Sequence, residues 1–255
     1  IVRGSAQIFS VNLPENFRQP FFAKSINEFW QRWHITLGAW LRDYVFYSVS
    51  LSNPFKKFNH FVRKHCNEYF SKLLPATTAL FFVWICNGLW HGASIKYVMY
   101  GMYYYTIMVI GMFMEPVFIK VSEKLHICKE RNYFRVFQIL RTVFIVNIGM
   151  LIFRADNLSI AFDMFISCFR NISFQIHPLT HLGLSSLDML IVILGIIVVF
   201  IVGVMKEKGF HIRESVAKWH IVPRWTFYIA GLFIVIIFGA YGRGYDIASF
   251  IYAQF

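Results

Sequence analysis

The chain has 255 residues, of which 57% are hydrophobic and only 15% are charged. Soluble domains carry about 45–50% apolar and about 25% charged residues, so this composition excludes an ordinary soluble domain and favours a chain whose surface faces lipid. The net charge of +12 does not indicate nucleic-acid binding, because the basic residues lie in short segments between apolar runs. The sequence therefore predicts an all-α, multi-pass protein of the cell membrane, with the lipid bilayer as its first partner.

Residues 25–47 are predicted to form one helix that lies in the membrane interface or re-enters the bilayer. The pattern Ser25-Ile-Asn-Glu28 is typical of a helix start, where serine and glutamate side chains cap free backbone N–H groups. The charged residues within this stretch exclude an ordinary membrane span. Helical spacing places on one face Trp30, His34, Leu37, Leu41 and Tyr44.

Five apolar runs further along the chain are predicted to cross the membrane. Each approaches the roughly 20 residues that a hydrocarbon layer of about 30 Å requires. Between the third and the fourth run, residues 159–170 are predicted to form a second interfacial helix. The whole chain, 1–255, is interpreted as a single membrane domain. The five predicted spans cover about 76–93, 97–119, 137–153, 187–205 and 225–240.

The basic residues of the connecting segments alternate in number along the chain. Segments 52–75, 120–135 and 206–224 hold five lysines and arginines each, whereas segments 94–96 and 154–186 hold one and two. Cytoplasmic segments of membrane proteins are enriched in Lys and Arg, so the three rich segments are predicted to be cytoplasmic. This topology puts the end of the first span, and the C-terminus, on the external side.

Two polar residues interrupt the first predicted span. Asn87 and His91 are four positions apart, so they lie on one helical face. Polar and ionisable groups inside a membrane are costly, and they tend to face a cavity or the bundle interior. Gly88 and Gly92 remove side-chain volume beside them, which predicts the close approach of a ligand or of another helix. On this span alone two interpretations stay open: a functional histidine, or a histidine that hydrogen-bonds a neighbouring helix.

Three polar residues of the interfacial helix carry weaker signals. His34 lies on an aromatic face, where a lone histidine is more often a packing residue than a functional one. Arg42 and Asp43 are adjacent, and side chains one position apart on a helix do not face each other. Each of the two is therefore expected to pair with another element.

The remaining candidates for metal binding are weak. His177 and His181 are four apart but lack the glutamate of an H-E-x-x-H zinc site, so no metal is predicted there. His60 and His65 fall in a basic segment that is interpreted as a solvated loop. The cysteines are too far apart in sequence to indicate a disulfide framework or a zinc site. They are Cys66, Cys86, Cys128 and Cys168.

Several strings in the chain resemble the signature of the membrane-bound O-acyltransferase family. The most specific are Glu28-Phe-Trp-Gln-Arg-Trp-His34-Ile-Thr-Leu, Trp40-Leu-Arg-Asp-Tyr44 and Gly88-Leu-Trp-His-Gly-Ala93. Leu13-Pro-Glu-Asn-Phe17, Tyr241-Gly-Arg-Gly-Tyr-Asp246 and Phe250-Ile-Tyr252 are similar as well. The bacterial branch that includes alginate O-acetyltransferase and the teichoic-acid D-alanyl transfer protein matches best. Members of that branch are longer, so an N-terminal portion is expected beyond this chain.

The resemblance implies a site. His91 is implied to be the catalytic histidine and His34 the second polar residue of the site. Site-shaping or substrate-binding roles are expected for Asn87, Trp90, Trp33, Arg42 and Asp43. The resemblance implies no bound cofactor and no metal; the acyl group would come from a thioester co-substrate, either acetyl-CoA or an acyl-carrier protein.

The implied reaction is transfer of an acetyl or D-alanyl group to hydroxyls of a cell-envelope polymer. A neutral imidazole is suited to take the hydroxyl proton near neutral pH. The acceptor would be an envelope polysaccharide, peptidoglycan or a teichoic acid that arrives from outside, with the donor arriving from the cytoplasm through a tunnel. An extracytoplasmic partner transferase is also implied. Two alternatives stay open: a transporter of envelope precursors that performs no acyl transfer, and a membrane subunit that only docks partners.

Overall fold

The structure is a computed structural model that describes residues 2–128, 131–170 and 186–239. Within these ranges all regular structure is helical, and the only β-type pairing is an isolated bridge between Phe17 and Trp33. Five of the helices are long and apolar enough to cross a membrane. The predicted fold class, an all-α multi-pass membrane protein, is therefore confirmed.

The described part of the chain contains α-helices joined by short connections, with one 3₁₀ turn at Pro20–Phe22 and one π-helical turn at Arg42–Phe46. The α-helices in chain order are α1 (Val2–Ile8), α2 (Ile26–Arg32), α3 (Ile35–Leu41), α4 (Tyr47–Leu51), α5 (Asn53–His65), α6 (Glu68–Trp90), α7 (Ile95–Lys124), α8 (Asn132–Arg154), α9 (Leu158–Arg170), α10 (Ser186–Glu207), α11 (Ile212–Ala217) and α12 (Ile221–Phe238).

The chain divides into two compact units, residues 1–173 and residues 174–255. Helices α1 to α9 belong to the first unit, and α10 to α12 belong to the second. Both of the predicted site histidines lie in the first unit. The interpretation of residues 1–255 as a single domain stays a prediction.

The five helices that meet the requirements for a span are α6, α7, α8, α10 and α12, in the order of the five predicted spans. Helix α6 begins earlier than the predicted span because Asn67 caps it. The Asn67 Oδ1 accepts a hydrogen bond from the Phe70 N–H at 3.0 Å. Helix α6 also ends earlier, at Trp90, which leaves His91 as its C-terminal capping residue. Residue 240, the predicted end of the fifth span, lies outside the described residues.

The predicted continuous helix over residues 25–47 is wrong in its middle. Ser25 caps α2 as predicted, because its Oγ accepts a hydrogen bond from the Glu28 N–H at 3.1 Å. The chain then leaves the helix at Trp33, which is extended, and at His34, which has a φ of 51° and a ψ of 51°. A left-handed residue cannot continue a right-handed helix, so the predicted common face is divided between α2 and α3.

Helices α6 and α7 approach each other so closely that two glycines are required between them. A Cβ at Gly88 of α6 would lie 2.5 Å from the Tyr97 carbonyl oxygen of α7. A Cβ at Gly101 of α7 would collide with the Trp84 carbonyl oxygen of α6. Small residues let backbones of membrane helices pack directly against each other. Of the two predicted uses of Gly88, the structure therefore shows the approach of another helix.

An aromatic core joins α2, α6 and α7. The Trp30 ring of α2 lies edge-on to Trp84 and Tyr104, with centroid distances of 5.0 and 4.9 Å. Tyr104 is completely buried, and its hydroxyl donates to the Val146 carbonyl of α8 at 3.3 Å. The neighbouring Tyr103 hydroxyl donates to the Ile145 carbonyl of α8 at 2.7 Å. The core thus ties the short helix α2 to three membrane-spanning helices.

Two connecting segments also have defined structure. Residues 52–75, interpreted from sequence as a basic loop, contain the 13-residue helix α5 and the start of α6. The loop interpretation is wrong because Ser52 caps α5: its Oγ accepts from the Phe55 N–H at 3.4 Å. Residues 159–170 form a helix as predicted, since α9 covers them.

The described part of the second unit, residues 186–239, contains two candidate spans, α10 and α12, joined through the short helix α11. Their side chains are mostly exposed and apolar, as expected for helices that face lipid. Two sequence features of this unit, the pair His177 and His181 and the strings over residues 241–252, lie outside the described residues.

Candidate active site

A left-handed turn between α2 and α3 positions His34, the first of the two predicted histidines. Positive φ at a residue other than glycine is strained and persists only where neighbours hold it. Asn16 provides that support. Its carbonyl accepts a hydrogen bond from the Ile35 N–H at 3.0 Å, and its Oδ1 accepts from the Thr36 N–H and Oγ1 at 2.9 and 2.7 Å.

The residues next to Asn16 complete the support of this turn. The Arg18 N–H donates to the Arg32 carbonyl at 2.9 Å, and the Phe17 ring lies edge-on to Trp33 at a centroid distance of 4.9 Å. The string Leu13-Pro-Glu-Asn-Phe17, which carries part of the family resemblance, therefore lies in the segment that shapes the turn at His34.

A cavity of about 520 Å³ opens between α2, α3, the π-helical turn and α6. Its lining includes the predicted site residues Trp33, His34, Arg42 and Asn87, together with Trp30 and Trp84 of the aromatic core. The other predicted site residues, Trp90, His91 and Asp43, do not belong to this lining. The structure thus brings four of the seven predicted residues around one cavity.

Four residues that line this cavity have a buried polar atom without a hydrogen-bond partner among the described residues. These atoms are His34 Nδ1, Asn87 Oδ1, Trp30 Nε1 and Trp84 Nε1. Buried polar groups are nearly always hydrogen-bonded to protein or water, and an unpaired one costs about 1–3 kcal/mol. Asn87 and Trp84 are only 6% and 4% exposed, so their polar atoms cannot be satisfied from the surface. This concentration of unpaired atoms is typical of a site that receives a polar group.

His91 lies at the C-terminal end of α6 in aromatic surroundings. The following Gly92 has a φ of 140°, which ends the helix in a conformation that favours glycine. The imidazole is half-buried and lies against the rings of Tyr100 and Phe153 at centroid distances of 5.7 and 5.0 Å. Tyr97 lies further away, at 6.1 Å. These tertiary contacts join the end of α6 to α7 and α8.

Trp90 connects the two histidines. Its indole ring lies edge-on to His34 at a centroid distance of 5.2 Å and an interplanar angle of 87°. The same ring lies edge-on to His91 at 4.7 Å and 76°. Both imidazoles therefore contact one side chain, although His34 lies in the turn between α2 and α3 and His91 caps the C-terminal end of α6. The resemblance implied a shared site for them, and the structure brings them into this arrangement.

Arg42 and Asp43 pair with each other, which corrects the prediction that each pairs with another element. The Arg42 Nε donates to the Asp43 Oδ1 at 2.9 Å. Both residues lie in the π-helical turn, and the long arginine side chain folds back onto its neighbour. The Arg42 and Asp43 side chains are 59% and 50% exposed, so this ion pair contributes little to stability.

Burial lowers the pKa of His34 below its ordinary value of 6.5. The low-dielectric surroundings disfavour the charged imidazolium. His34 is therefore neutral at pH 7, and a neutral imidazole has one nitrogen that donates and one that accepts a hydrogen bond.

Within the described ranges, no group of three or more His, Cys, Asp or Glu residues could hold a metal ion. The four cysteines are free thiols, of which Cys66 and Cys86 are half-buried and Cys128 and Cys168 are exposed.

Several residues around the two histidines were not predicted as site residues. Tyr97, Tyr100 and Phe153 surround His91, and Trp84 lines the cavity beside Asn87. In the sequence, the tyrosine-rich string over residues 97–105 indicates only a span. Phe153 had no such signal, because its contact with His91 depends on the packing of α8.

The fold and the site define a multi-pass helical membrane protein with a largely apolar cavity that carries a few polar groups, and with two histidines on either side of one indole ring. No protein-family model matches the chain. Curated relatives do match, and they are of the membrane-bound O-acyltransferase type; the chain belongs to the membrane-bound O-acyltransferase family.

Three of these relatives represent three acceptor types. The chain is 31% identical to the probable alginate O-acetylase AlgI of Pseudomonas syringae over 68% of its own length and 28% of that relative. It is 29% identical to the teichoic acid D-alanyltransferase of Bacillus subtilis over 59% of its own length and 34% of that relative. It is 27% identical to the peptidoglycan O-acetyltransferase of Helicobacter pylori over 62% of its own length and 25% of that relative. The chain thus spans about a third or less of the length of these relatives.

Proposed function

We propose that the full-length protein is a membrane-embedded O-acyltransferase, in which His91 is the general base and His34 helps to hold the acyl donor. The observation that carries this proposal is the contact of both imidazoles with the single indole ring of Trp90. The names of the relatives support it, because each of them denotes transfer of an acetyl or D-alanyl group.

The proposed reaction transfers an acyl group from a thioester to a hydroxyl. His91 takes the proton of the acceptor hydroxyl while the hydroxyl oxygen attacks the thioester carbonyl carbon. The new C–O ester bond forms and the C–S bond breaks. The imidazolium returns the proton to the departing sulfur, which leaves as a thiol. General-base help of this kind contributes about 10²–10⁴ in rate.

The cavity next to His34 is the proposed place of the acyl donor. Pockets for small ligands have volumes of about 300–1,000 Å³, are mostly apolar and carry a few polar groups that orient the ligand. The cavity of about 520 Å³ fits this description, with unpaired polar atoms on His34 and Asn87. An amide of the donor would give both atoms partners, because its N–H would donate to Asn87 Oδ1 and its carbonyl oxygen would accept from a protonated His34 Nδ1. Arg42 borders the same cavity and is proposed to shape its opening.

The donor and the acceptor follow from the family. We propose acetyl-CoA or an acyl-carrier protein as the thioester donor, and a cell-envelope polymer as the acceptor. The acceptors named for the relatives are alginate, teichoic acid and peptidoglycan, and a polysaccharide acceptor with an acetyl group is our leading choice. An extracytoplasmic partner transferase belongs to the same proposal. The relatives do not favour the alternative of a transporter without acyl-transfer chemistry.

The test is the ester-linked acyl content of the cell envelope in cells that produce the full-length protein. His91→Ala should remove nearly all of the ester, because loss of the base slows transfer by about 10²–10⁴. Mild base releases the acyl group from wild-type envelopes, and mass spectrometry of the released acid identifies it. Membrane abundance of each variant is matched by immunoblot.

The control variant is His220→Ala. His220 is exposed at the start of α12, and we expect this variant to retain wild-type ester content. Unchanged ester in His91→Ala at matched abundance would refute the role of His91. Loss of ester in both variants would point to a general effect of histidine replacement and not to catalysis.

A further inference from the structure

Helix α5 packs against α6 through one narrow face. Phe55 and Val62 are seven positions apart on this face and are 9% and 3% exposed. Asn59 lies between them at helical spacing and is half-buried. The rest of α5 faces outward, and its 13 residues include no aspartate and no glutamate.

The first outward sector of α5 is basic. Its residues follow the spacing i, i+1, i+4, i+7, i+8, which forms a continuous stripe along a helix. All of them are exposed, and none of the lysines or the arginine pairs with a carboxylate of the part of the chain that the structure describes. The members of this basic stripe are Lys56, Lys57, His60, Arg63 and Lys64.

The second outward sector is aromatic and borders the basic stripe. Phe58 and Phe61 are 37% and 61% exposed, although phenylalanine side chains are usually buried. The His65 ring stacks on Phe61 with a centroid distance of 4.3 Å. The three residues share one side of the helix at i, i+3 and i+7.

The position of α5 along the chain places both sectors at the membrane surface. Only Cys66 and Asn67 separate the end of α5 from α6, the first candidate span. A helix joined so closely to the end of a span lies at the depth of the lipid headgroups. At that depth, lipid phosphates lie next to the upper part of the acyl chains. The phosphates complement the charge of the basic stripe, and the acyl chains suit the apolar rings of the aromatic sector.

We propose that α5 is an interfacial helix whose basic stripe binds the headgroups of anionic phospholipids, with Phe58 and Phe61 inserted among the upper acyl chains. Clusters of exposed cations beside a membrane span attract anionic lipids, and aromatic side chains on the same helix anchor it in the interface. An acidic protein surface would complement the cations but would leave the exposed phenylalanines without an apolar partner.

The experiment measures which lipids surround α5 in the full-length protein. A fluorophore is attached to Asn53→Cys, an exposed position on the first turn of α5, in a protein whose other cysteines are replaced by serine. The protein is reconstituted in vesicles that contain equal amounts of phosphatidylcholine and phosphatidylglycerol, with one of the two lipids spin-labelled. We expect spin-labelled phosphatidylglycerol to quench the fluorophore at least about twofold more than spin-labelled phosphatidylcholine at low salt.

Charge variants distinguish α5 from another basic segment of the chain, residues 120–135. Neutralising Lys56, Lys57, Arg63 and Lys64 to glutamine should bring the quenching ratio to one, whereas replacing the three lysines by arginine should preserve it. Neutralisation to glutamine of four exposed cations elsewhere should also preserve it. Those control positions are Lys120, Lys124, Arg131 and Arg135.

Salt provides a further check, since raising its concentration screens exposed charges and should lower the ratio. A ratio of one in the unneutralised protein would overturn the proposal and leave an acidic protein as the occupant of α5. A ratio that survives neutralisation of α5 would overturn it as well. Because the readout is lipid proximity and not acyl transfer, its outcome is independent of the proposed function.

Discussion

At the scale of single residues, the strained conformation of His34 and its burial belong together. A left-handed conformation at a residue other than glycine costs about 1–3 kcal/mol, and here hydrogen bonds to Asn16 hold it in place. The turn directs the imidazole to the cavity and to Trp90. The sequence predicted one continuous helix with His34 on its face, whereas the structure places His34 in a turn between two helices.

The pKa of His34 leads to a prediction about stability. Because the folded-state pKa lies below the ordinary value of 6.5, the unfolded state binds more protons than the folded state in acid. Above about pH 7 the titration of His34 therefore does not affect the free energy of unfolding. As the pH drops below the unfolded pKa of about 6.5, the titration of His34 lowers that free energy. The thermal midpoint of the full-length protein in detergent, measured from pH 8 to pH 5, should fall less in His34→Gln than in the wild type.

Replacement of an exposed histidine controls for this effect. The matched variant is His220→Gln, which removes an exposed imidazole at the start of α12, outside the candidate site. If His34→Gln lost as much stability on acidification as the wild type, the buried imidazole would not be the group responsible.

At the scale of elements, the contact between α6 and α7 determines where His91 lies. Gly88 and Gly101 bring the two backbones together, and this puts Tyr97 and Tyr100 beside the end of α6. Polar and small residues at such a contact compensate for the absence of a hydrophobic driving force between helices in lipid. The spacing of Asn87 and His91 on one helix is a local property, but the aromatic surroundings of His91 come from this contact.

Two glycines of the same helix allow a matched test of that contact. Gly101→Ala should destabilise the full-length protein by about 1–3 kcal/mol, because the new methyl group would collide with the Trp84 carbonyl. Gly111→Ala should be neutral or stabilising by up to about 1 kcal/mol, because nothing lies within 4 Å of its Cβ position and alanine favours a helix. Midpoints of unfolding in detergent measure both effects. Equal responses of the two variants would contradict direct backbone packing at Gly101.

At the scale of the whole molecule, the alternation of basic segments predicts how the chain crosses the membrane. The rich segments 52–75, 120–135 and 206–224 would be cytoplasmic, and His91 would lie toward the external side. Five candidate spans agree with that alternation in number and order. Their direction across the bilayer stays a prediction, because length and composition alone do not orient a helix.

Two natural cysteines report on this direction. Cys128 lies between α7 and α8, in a rich segment, whereas Cys168 lies on α9, between the third and fourth candidate spans; both are exposed. In full-length variants that keep only one of them, a membrane-impermeant maleimide should label Cys168 in intact spheroplasts and Cys128 only after permeabilisation. Labelling of Cys128 alone from outside would mean that the topology is the reverse of the predicted one. Labelling of both cysteines from outside would show that the alternating number of basic residues does not predict the topology.

The sequence by itself determined the features that depend on neighbouring residues. Apolar runs were sufficient for the five candidate spans, because partition into lipid depends on local hydrophobicity. The Ser25 cap was readable for the same reason, since its hydrogen bond closes over three residues. The strings around His34 and His91 were sufficient for the family, because they are specific and occur in order along the chain.

The tertiary structure decided what depends on residues far apart in the chain. The turn at His34 requires hydrogen bonds from Asn16, and these replace the helix that local propensity favoured. The contact of Trp90 with both His34 and His91 exists because α2 and α6 pack into a common core with α7 and α8. Local patterns determine which segments become helices, but the free energy that selects one packing arrangement comes from contacts between segments, and only the folded chain makes those contacts.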